Sequence, residues 1–299
     1  DLVFNYITWG CRNWQRFVFC IMEKSSVFCF AFSCILAFPF CSWTTFLKER
    51  ISERRQRGVP PLMQHFFGKI VDNRIILSPE DEHHLIHVKR AQVGEEIEVG
   101  VDGCVYLCTV ASVYPLKIEK KIALPSRELP YRLGIGFGVL KSEHSEWLVQ
   151  KSTELGATSF YPCVTERCVV RPKAKKDPKW ERLQKIANES AKQCRRGRLP
   201  ELSAYKSWNE MLALPYSNKI LAYENESLHG DPLLNALQEM KMDDTLFVIG
   251  PEGGFTLAEV EQAQRAGFRI VSLGKRILRA ETAGLYGACL IGSMMEKRK

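Results

Sequence analysis

The sequence predicts an α/β protein in which a small all-β module precedes a larger, mostly parallel sheet flanked by helices. Three observations carry this. From Arg132 onward, short apolar runs alternate with segments of helical spacing, which is the pattern of repeated strand–helix units. Between Met63 and Arg127, several short strand patterns surround a single helical one, as in a small barrel or sandwich. The proline-marked stretch LPSRELPY, at 124–131, separates the two.

A third region stands apart by composition. Residues 1–62 are crowded with Phe, Trp and Cys, whereas the rest has the balance of a folded enzyme. The apolar run VFCFAFSCILAFPFC, at 27–41, spans about 15 residues, short for a membrane helix and near the length of a signal-peptide core. Met63 opens the first regular pattern, so the expectation is that residues 1–62 are an atypical extension and that translation begins at Met63, with targeting or anchoring as the alternative. A product of 63–299 is expected to have no membrane partner and to work in the cytoplasm. The whole chain of 299 residues is 45% hydrophobic and 25% charged, which excludes a disordered or fibrous protein. A formal charge of +8 permits an anionic partner such as nucleic acid without requiring one.

In the small module, HFFGKIV and RIILS read as strands, SPEDE as a polar turn and HHLIHVKRAQ as a helix. EEIEVGVDGCVYLCTVASV alternates about Asp102-Gly103, a type I′ hairpin signal, and Tyr114–Lys121 reads as another strand. Cys104 and Cys108 lie four apart and would share a strand face. Five of the 11 cysteines fall in the extension, and the other six form no CxxC pair or His-flanked set, so no metal site is indicated.

Beyond the junction, RLGIGFGVL is a buried strand and EHSEWLVQKSTELGA a helix stopped by Gly156. SFYPCVT is a strand, and DPKWERLQKIANESAKQ a helix with Asp177 as N-cap and Pro178 at its first position. KILAYEN, TLFVIG and RIVSLG are further strands, while DPLLNALQEM, TLAEVEQAQRAG and AETAGLYGACLIGSMMEKR are helices.

Two strand ends carry candidate chemistry. TLFVIG runs into Gly250-Pro251-Glu252-Gly253-Gly254 before a helix, and a glycine loop at the carboxyl end of a strand lets backbone approach a ligand closely. It is neither GxGxxG nor a P-loop, so dinucleotide binding and ATP hydrolysis lack their signatures, and a plain turn remains the alternative. RIVSLG likewise runs into KRILRAETA, where Arg279 and Glu281 are either a fixed cation and carboxylate beside a pocket or a surface ion pair.

VIGPEGGFT followed by VSLGKRILRAETA resembles the paired signature of the RsmE family of SPOUT methyltransferases. EWLVQKSTELG, PCVTER and KIANESAKQCRRGRLPEL are similar to its first helix, next strand end and central helix with exit loop. HHLIHVKRAQVGEEIEV with Asp102-Gly103 is similar to its N-terminal barrel. The resemblance covers Met63 to about Ile291 and implies a PUA-like RNA-binding β-barrel (63–127) followed by a SPOUT trefoil-knot methyltransferase domain (128–299).

It further implies S-adenosyl-L-methionine (SAM) as cofactor, held by Gly250, Pro251, Glu252 and Gly253 from one loop and Leu273, Gly274, Ile277, Leu278, Thr282 and Ala283 from the other. The implied reaction is methylation of uridine N3 in small-subunit (16S) rRNA, free or in the assembled subunit, by a homodimer. Arg279 would act as electrostatic stabiliser and Glu281 as orienting group or proton acceptor, unless solvent accepts the proton. Lys89, Arg90, Arg167, Arg171, Arg195, Arg196 and Arg198 would contact RNA, with a solvated face as the alternative for the lysine-rich run at 171–179.

Three departures stand out: His65 in place of an arginine, Glu143-His144 in place of an acidic–arginine pair, and Lys192 and Arg195 in place of a glutamate and a glycine. They bear on RNA docking and leave both cofactor loops intact. The competing readings are a SPOUT enzyme acting on another RNA site or atom, and an RNA-binding assembly factor without catalysis.

Overall fold

The computed structural model describes residues 20–23, 26–29, 63–72, 74–172, 174–224 and 231–297. The chain divides into two compact units, Asp1–Pro61 and Leu62–Lys299. Of the first, only two short antiparallel strands, β1 (Cys20–Glu23) and β2 (Ser26–Cys29), are described, so most of the apolar run at 27–41 lies outside the described residues. Among the described residues no helix is long and apolar enough to cross a membrane.

The second unit opens with a closed barrel. Its strands are β3 (His65–Val71), β4 (Arg74–Leu77), β5 (Glu96–Val101), β6 (Cys104–Val113) and β7 (Leu116–Leu124), in spatial order β3-β4-β7-β6-β5. Closure removes the free edges that short strands would otherwise expose. Asp102 and Gly103 both have positive φ, 49° and 90°, as the type I′ reading of the β5–β6 hairpin requires. Phe66, Leu85, Ile97, Val99, Cys108 and Val110 fill the interior.

One expectation fails here for a local reason. SPEDE is not a turn but the start of a helix: the Ser78 side chain accepts from the Asp81 N–H at 3.1 Å, Pro79 takes the first position, and α1 (Pro79–His83) continues as one wide turn over His84–Val88. Cys104 and Cys108 lie on one face of β6 with Tyr106, which packs on the barrel core beside Cys108. Cys104 is exposed because it is the first residue of β6, whereas Cys108 lies inside the barrel, where burial pushes its thiol up to about 11.

The parallel sheet follows: β8 (Leu133–Gly138), α2 (Ser142–Glu154), β9 (Ser159–Val164), α3 (Pro178–Gln193), β10 (Glu201–Leu202), β11 (Lys206–Ser207), α4 (Trp208–Leu212), β12 (Asn218–Ala222), α5 (Leu233–Glu239), β13 (Thr245–Ile249), α6 (Leu257–Arg265), β14 (Arg269–Val271) and α7 (Ala280–Lys297). Strands run in the order β10-β9-β8-β13-β12-β14, with β11 also on β9, and every pairing is parallel. Both faces are covered, which is why these strands read as unbroken apolar runs. On β13, Phe247 and Ile249 join the core beneath α2, α3, α5 and α7, while Leu246 and Val248 join the opposite core with Met211 and Val260. β10, β11 and α4 escaped the pattern reading. The capping box between Ser207 and Glu210 was their one local signal.

Helix ends sit where the sequence placed them. Gly156 turns out of α2 at φ 94°, and the Asp177 side chain accepts from the Trp180 N–H at 2.9 Å to open α3. The last helix packs closely on the sheet and on α2: a Cβ on Gly287 would fall 2.0 Å from the Phe247 ring of β13, and one on Gly284 2.3 Å from Leu148 of α2.

Barrel and sheet meet at the loop that leaves α3. The Gly103 N–H donates to the Gly197 carbonyl at 3.0 Å, and Lys192 reaches Asp81 at 2.5 Å. Arg196, only 3% exposed, pairs with Glu128 at 2.6 Å and donates to the Thr153 and Ala157 carbonyls. Glu98, also buried, accepts from Arg127 at 2.7 and 3.1 Å and from Arg195 at 3.4 Å. Burial pushes the Glu98 carboxyl up, but its hydrogen bonds and charge pairing with Arg127 and Arg195 outweigh this, and the net direction is down. His65 donates from Nε2 to the Arg196 carbonyl at 2.8 Å, and burial pulls its pKa below the ordinary 6.5 against the opposing pull of Glu98.

Candidate active site

A cavity of about 510 Å³ opens at the carboxyl ends of β12, β13 and β14, where parallel sheets place their ligands. Ala222 ends β12 and Ile249 ends β13 on its wall. The loop at 250–254 forms one side and the segment from Leu273 to Ala283 the other. Of the residues expected at a cofactor, Gly250, Pro251, Glu252, Gly253, Leu273, Gly274, Ile277, Leu278 and Ala283 all line it. Thr282 does not: it is exposed, because the helical turn that points Glu281 and Ala283 inward carries the residue between them to solvent.

The first loop is held from outside. Gly254 adopts φ 69°, and a Cβ there would meet the Glu224 carboxylate, so the turn is reserved for glycine. A Cβ on Gly138 would fall 2.4 Å from Pro251, which brings the loop against the end of β8. Thr256 and Glu259 form a capping box that starts α6, and Glu259 also accepts from the Glu166 N–H at 2.9 Å. Arg167 donates to the Gly253 and Phe255 carbonyls at 3.3 and 3.2 Å. The Glu252 carboxylate accepts from the Lys141 N–H at 3.0 Å, tying the loop to the start of α2. In the second segment Gly274 sits at φ 108°, its N–H donating to the Ser272 hydroxyl at 3.1 Å.

Arg279 and Glu281 both reach the cavity, but they form no ion pair with each other. Arg279 is exposed at the wall. Glu281 is buried and faces His144, whose Nδ1 lies 3.7 Å from Glu281 Oε2 and 3.4 Å from Glu252 Oε1. Among the described residues neither Nδ1 of His144 nor Oε2 of Glu281 has a hydrogen-bond partner, although both atoms are shielded from solvent. His144, Tyr223, Glu224, Gly254 and Arg276 complete the wall beyond the expected set. The first of these comes from α2, more than a hundred residues before either loop, so no local pattern could have joined it to them.

The basic residues expected at RNA separate into two groups. Lys89, Arg90, Arg171 and Arg198 are exposed. Arg196 is buried in its ion pair with Glu128, which corrects the expectation that it contacts RNA, and Arg195 and Arg167 are drawn to Glu98 and to the glycine loop. His65 is likewise buried at the barrel seam, so the departure there concerns packing rather than an exposed contact.

Comparisons agree with the architecture. An RNA methyltransferase domain family matches residues 127–292. The ribosomal RNA small subunit methyltransferase E of Bacillus subtilis is 35% identical over 78% of this chain and 98% of its own length. Among solved structures, the ribosomal RNA small subunit methyltransferase E of Neisseria gonorrhoeae, bound to S-adenosyl methionine, superposes with a TM-score of 0.64 at 28% identity, covering 77% of this chain and 97% of that one. A Legionella pneumophila methyltransferase with SAM bound gives 0.65 at 26% identity, covering 78% and 98%. With its closed barrel, its parallel SPOUT-type sheet and a strand-end cavity built from GPEGG and KRILRAETA, the chain belongs to the family of ribosomal RNA small subunit methyltransferase E.

Proposed function

We propose that this protein transfers the methyl group of SAM to N3 of a uridine in small-subunit rRNA, acting in the cytoplasm as a homodimer. The observation that carries this is the strand-end cavity, in which nine of the ten expected cofactor residues converge from two loops.

The lining suits the cofactor. Gly250, Gly253 and Gly254 leave backbone bare for close approach, Ile249, Leu273 and Leu278 offer apolar surface to an adenine ring, and Glu224 and Glu252 are the acidic groups available to a cationic amino-acid end. When bound, SAM supplies a methyl group activated by positive sulfur. The chain's own residues do the rest. Uracil N3 carries a weakly acidic proton, and the negative charge left on its removal spreads to the ring oxygens. Arg279, a cation at the wall, is suited to stabilise that charge, and Glu281 is suited to orient the groups that handle the proton. The target base must be unpaired or flipped for its Watson–Crick edge to enter.

For RNA, the exposed Lys89, Arg90, Arg171 and Arg198 are the phosphate contacts we favour, with the 63–127 barrel as a PUA-like binding module. The test is methyl transfer from labelled SAM to small ribosomal subunits from a strain lacking the modification, with nucleoside mass analysis. Label recovered as N3-methyluridine, lowered about 100-fold in Arg279→Ala, is the expected result. Label in any other nucleoside contradicts the assignment of the atom.

A further inference from the structure

Resting on the reading of the barrel as the RNA-binding module, we infer that Arg195 is a positioning residue for the RNA substrate: through Glu98 it sets the barrel on the methyltransferase domain without touching RNA or cofactor. The first observation is its backbone. Arg195 follows the last turn of α3 at φ 57°, the left-handed conformation that glycine adopts freely and other residues adopt at a cost. Its N–H donates to the Lys192 carbonyl at 3.1 Å and that of Arg196 to the Ala191 carbonyl at 3.0 Å, the paired cap that most often carries glycine at this position. A long charged side chain held there against the backbone preference points to a task for the side chain.

That task lies across the seam. The Arg195 guanidinium donates to Glu98 Oε1 at 3.4 Å, and Glu98 belongs to β5 of the barrel, with 4% of its side chain exposed. Arg127 holds both oxygens of the same carboxylate and donates to the Arg195 carbonyl at 3.0 Å. The remaining neighbour is His65, whose Nδ1 lies 3.4 Å from Glu98 Oε2 while Nε2 is committed to the Arg196 carbonyl. Burial pulls the His65 pKa down, so at neutral pH the second cation on Glu98 comes from the exit of α3 and not from the barrel. The departures at 65 and 195 therefore meet on one carboxylate, and Lys192 acts beside them on Asp81 of α1. The wide turn after α1 leads into Lys89 and Arg90, and Arg198 lies over the β5–β6 hairpin, where a Cβ on Gly103 would fall 3.3 Å from its guanidinium. The exposed cations favoured as phosphate contacts thus stand on both sides of the seam. An RNA that bridges them meets a preorganised surface, and loosening the seam adds an ordering cost to binding while every contact to SAM stays the same.

Methyl transfer to small ribosomal subunits by Arg195→Gly, and by the same variant carrying His65→Arg, tests this. Glycine relaxes the backbone at position 195, so Arg195→Gly is expected to stay folded with a thermal midpoint close to that of the wild type. Its KM for subunits is expected to rise about tenfold, with kcat and SAM affinity within about twofold. Adding His65→Arg returns a guanidinium to Glu98 from the barrel side and is expected to bring KM back to within about threefold of the wild type. Position 65 has 2% of its side chain exposed, so this rescue does not come from a new RNA contact. Salt separates positioning from contact: losing a phosphate contact lowers the slope of log affinity against log salt by about one, whereas Arg195→Gly is expected to leave it unchanged. An unchanged KM in Arg195→Gly, a slope reduced by about one, or a double variant no better than the single overturns the inference. It is overturned equally if SAM affinity falls in step with KM, which assigns the effect to a general disturbance of the fold. If replacing Lys89 and Arg90 together by alanine leaves KM for subunits unchanged, it is the reading of the barrel as the RNA module that fails.

Discussion

The seam between barrel and sheet and the cavity at the strand ends are both built from acidic residues facing cations or imidazole, yet they are finished differently. At the seam the buried charges are answered: Arg196 by Glu128 and two carbonyls, Glu98 by Arg127 and Arg195, Lys192 by Asp81. In the cavity, Arg279 stands exposed without an ion pair among the described residues, and His144 faces two carboxylates without a hydrogen bond to either. A buried polar network completed within the chain holds elements in place, whereas one left open retains valences for something that arrives later. By that criterion the arginine-rich exit of α3, although basic, is mostly architecture, and the quieter strand-end loops are the site we propose.

The largest test of this contrast is Arg196→Ala. It strands Glu128 against the Arg196 pocket and should cost about 3–5 kcal/mol, read as a drop in the denaturant midpoint. A loss below about 1 kcal/mol would mean that the seam is not the clamp described here. Next comes Gly287→Ala, where the new Cβ collides with the Phe247 ring; overpacking of this kind costs about 1–3 kcal/mol, measurable by thermal unfolding. Thr256→Ala removes the cap of α6 and should cost about 1 kcal/mol, with weaker SAM binding because the same capping box braces the glycine loop.

Much of this was legible from local pattern. The Asp102-Gly103 turn, the Asp177 cap, Gly156 and the two strand-end loops each announce themselves within a few residues, because turns, caps and bare glycine backbone are local requirements. What stayed hidden depends on distant segments meeting. Arg196 and Arg198 look alike in RRGR, and only docking of the barrel buries one and leaves the other exposed. His144 joins the cavity only because β8 lies beside β13.

Smaller effects sharpen the comparison. His65 and Glu98 both have folded-state pKa values below their ordinary 6.5 and 4.5, so the unfolded chain takes up protons first on acidification. Their contribution is therefore complete above about pH 6.5 and is lost as pH falls. Thermal midpoints recorded from pH 7 to pH 4 should decline, and His65→Gln should flatten the upper part of that decline. Smallest of all, Thr282→Ala should leave SAM affinity unchanged within error, since that side chain faces solvent.

The central claim is that the strand-end cavity, open in its polar valences, is where SAM binds. Calorimetric titration of SAM into the folded wild-type protein and into Gly254→Val addresses it directly, because a branched side chain at φ 69° beside Glu224 must deform the loop without touching the seam. The account predicts saturable binding to the wild type and a loss of at least about tenfold in affinity for the variant, both proteins remaining folded, which corresponds to about 1.4 kcal/mol. Equal affinity in the two, or no binding by a folded wild-type protein, would contradict it.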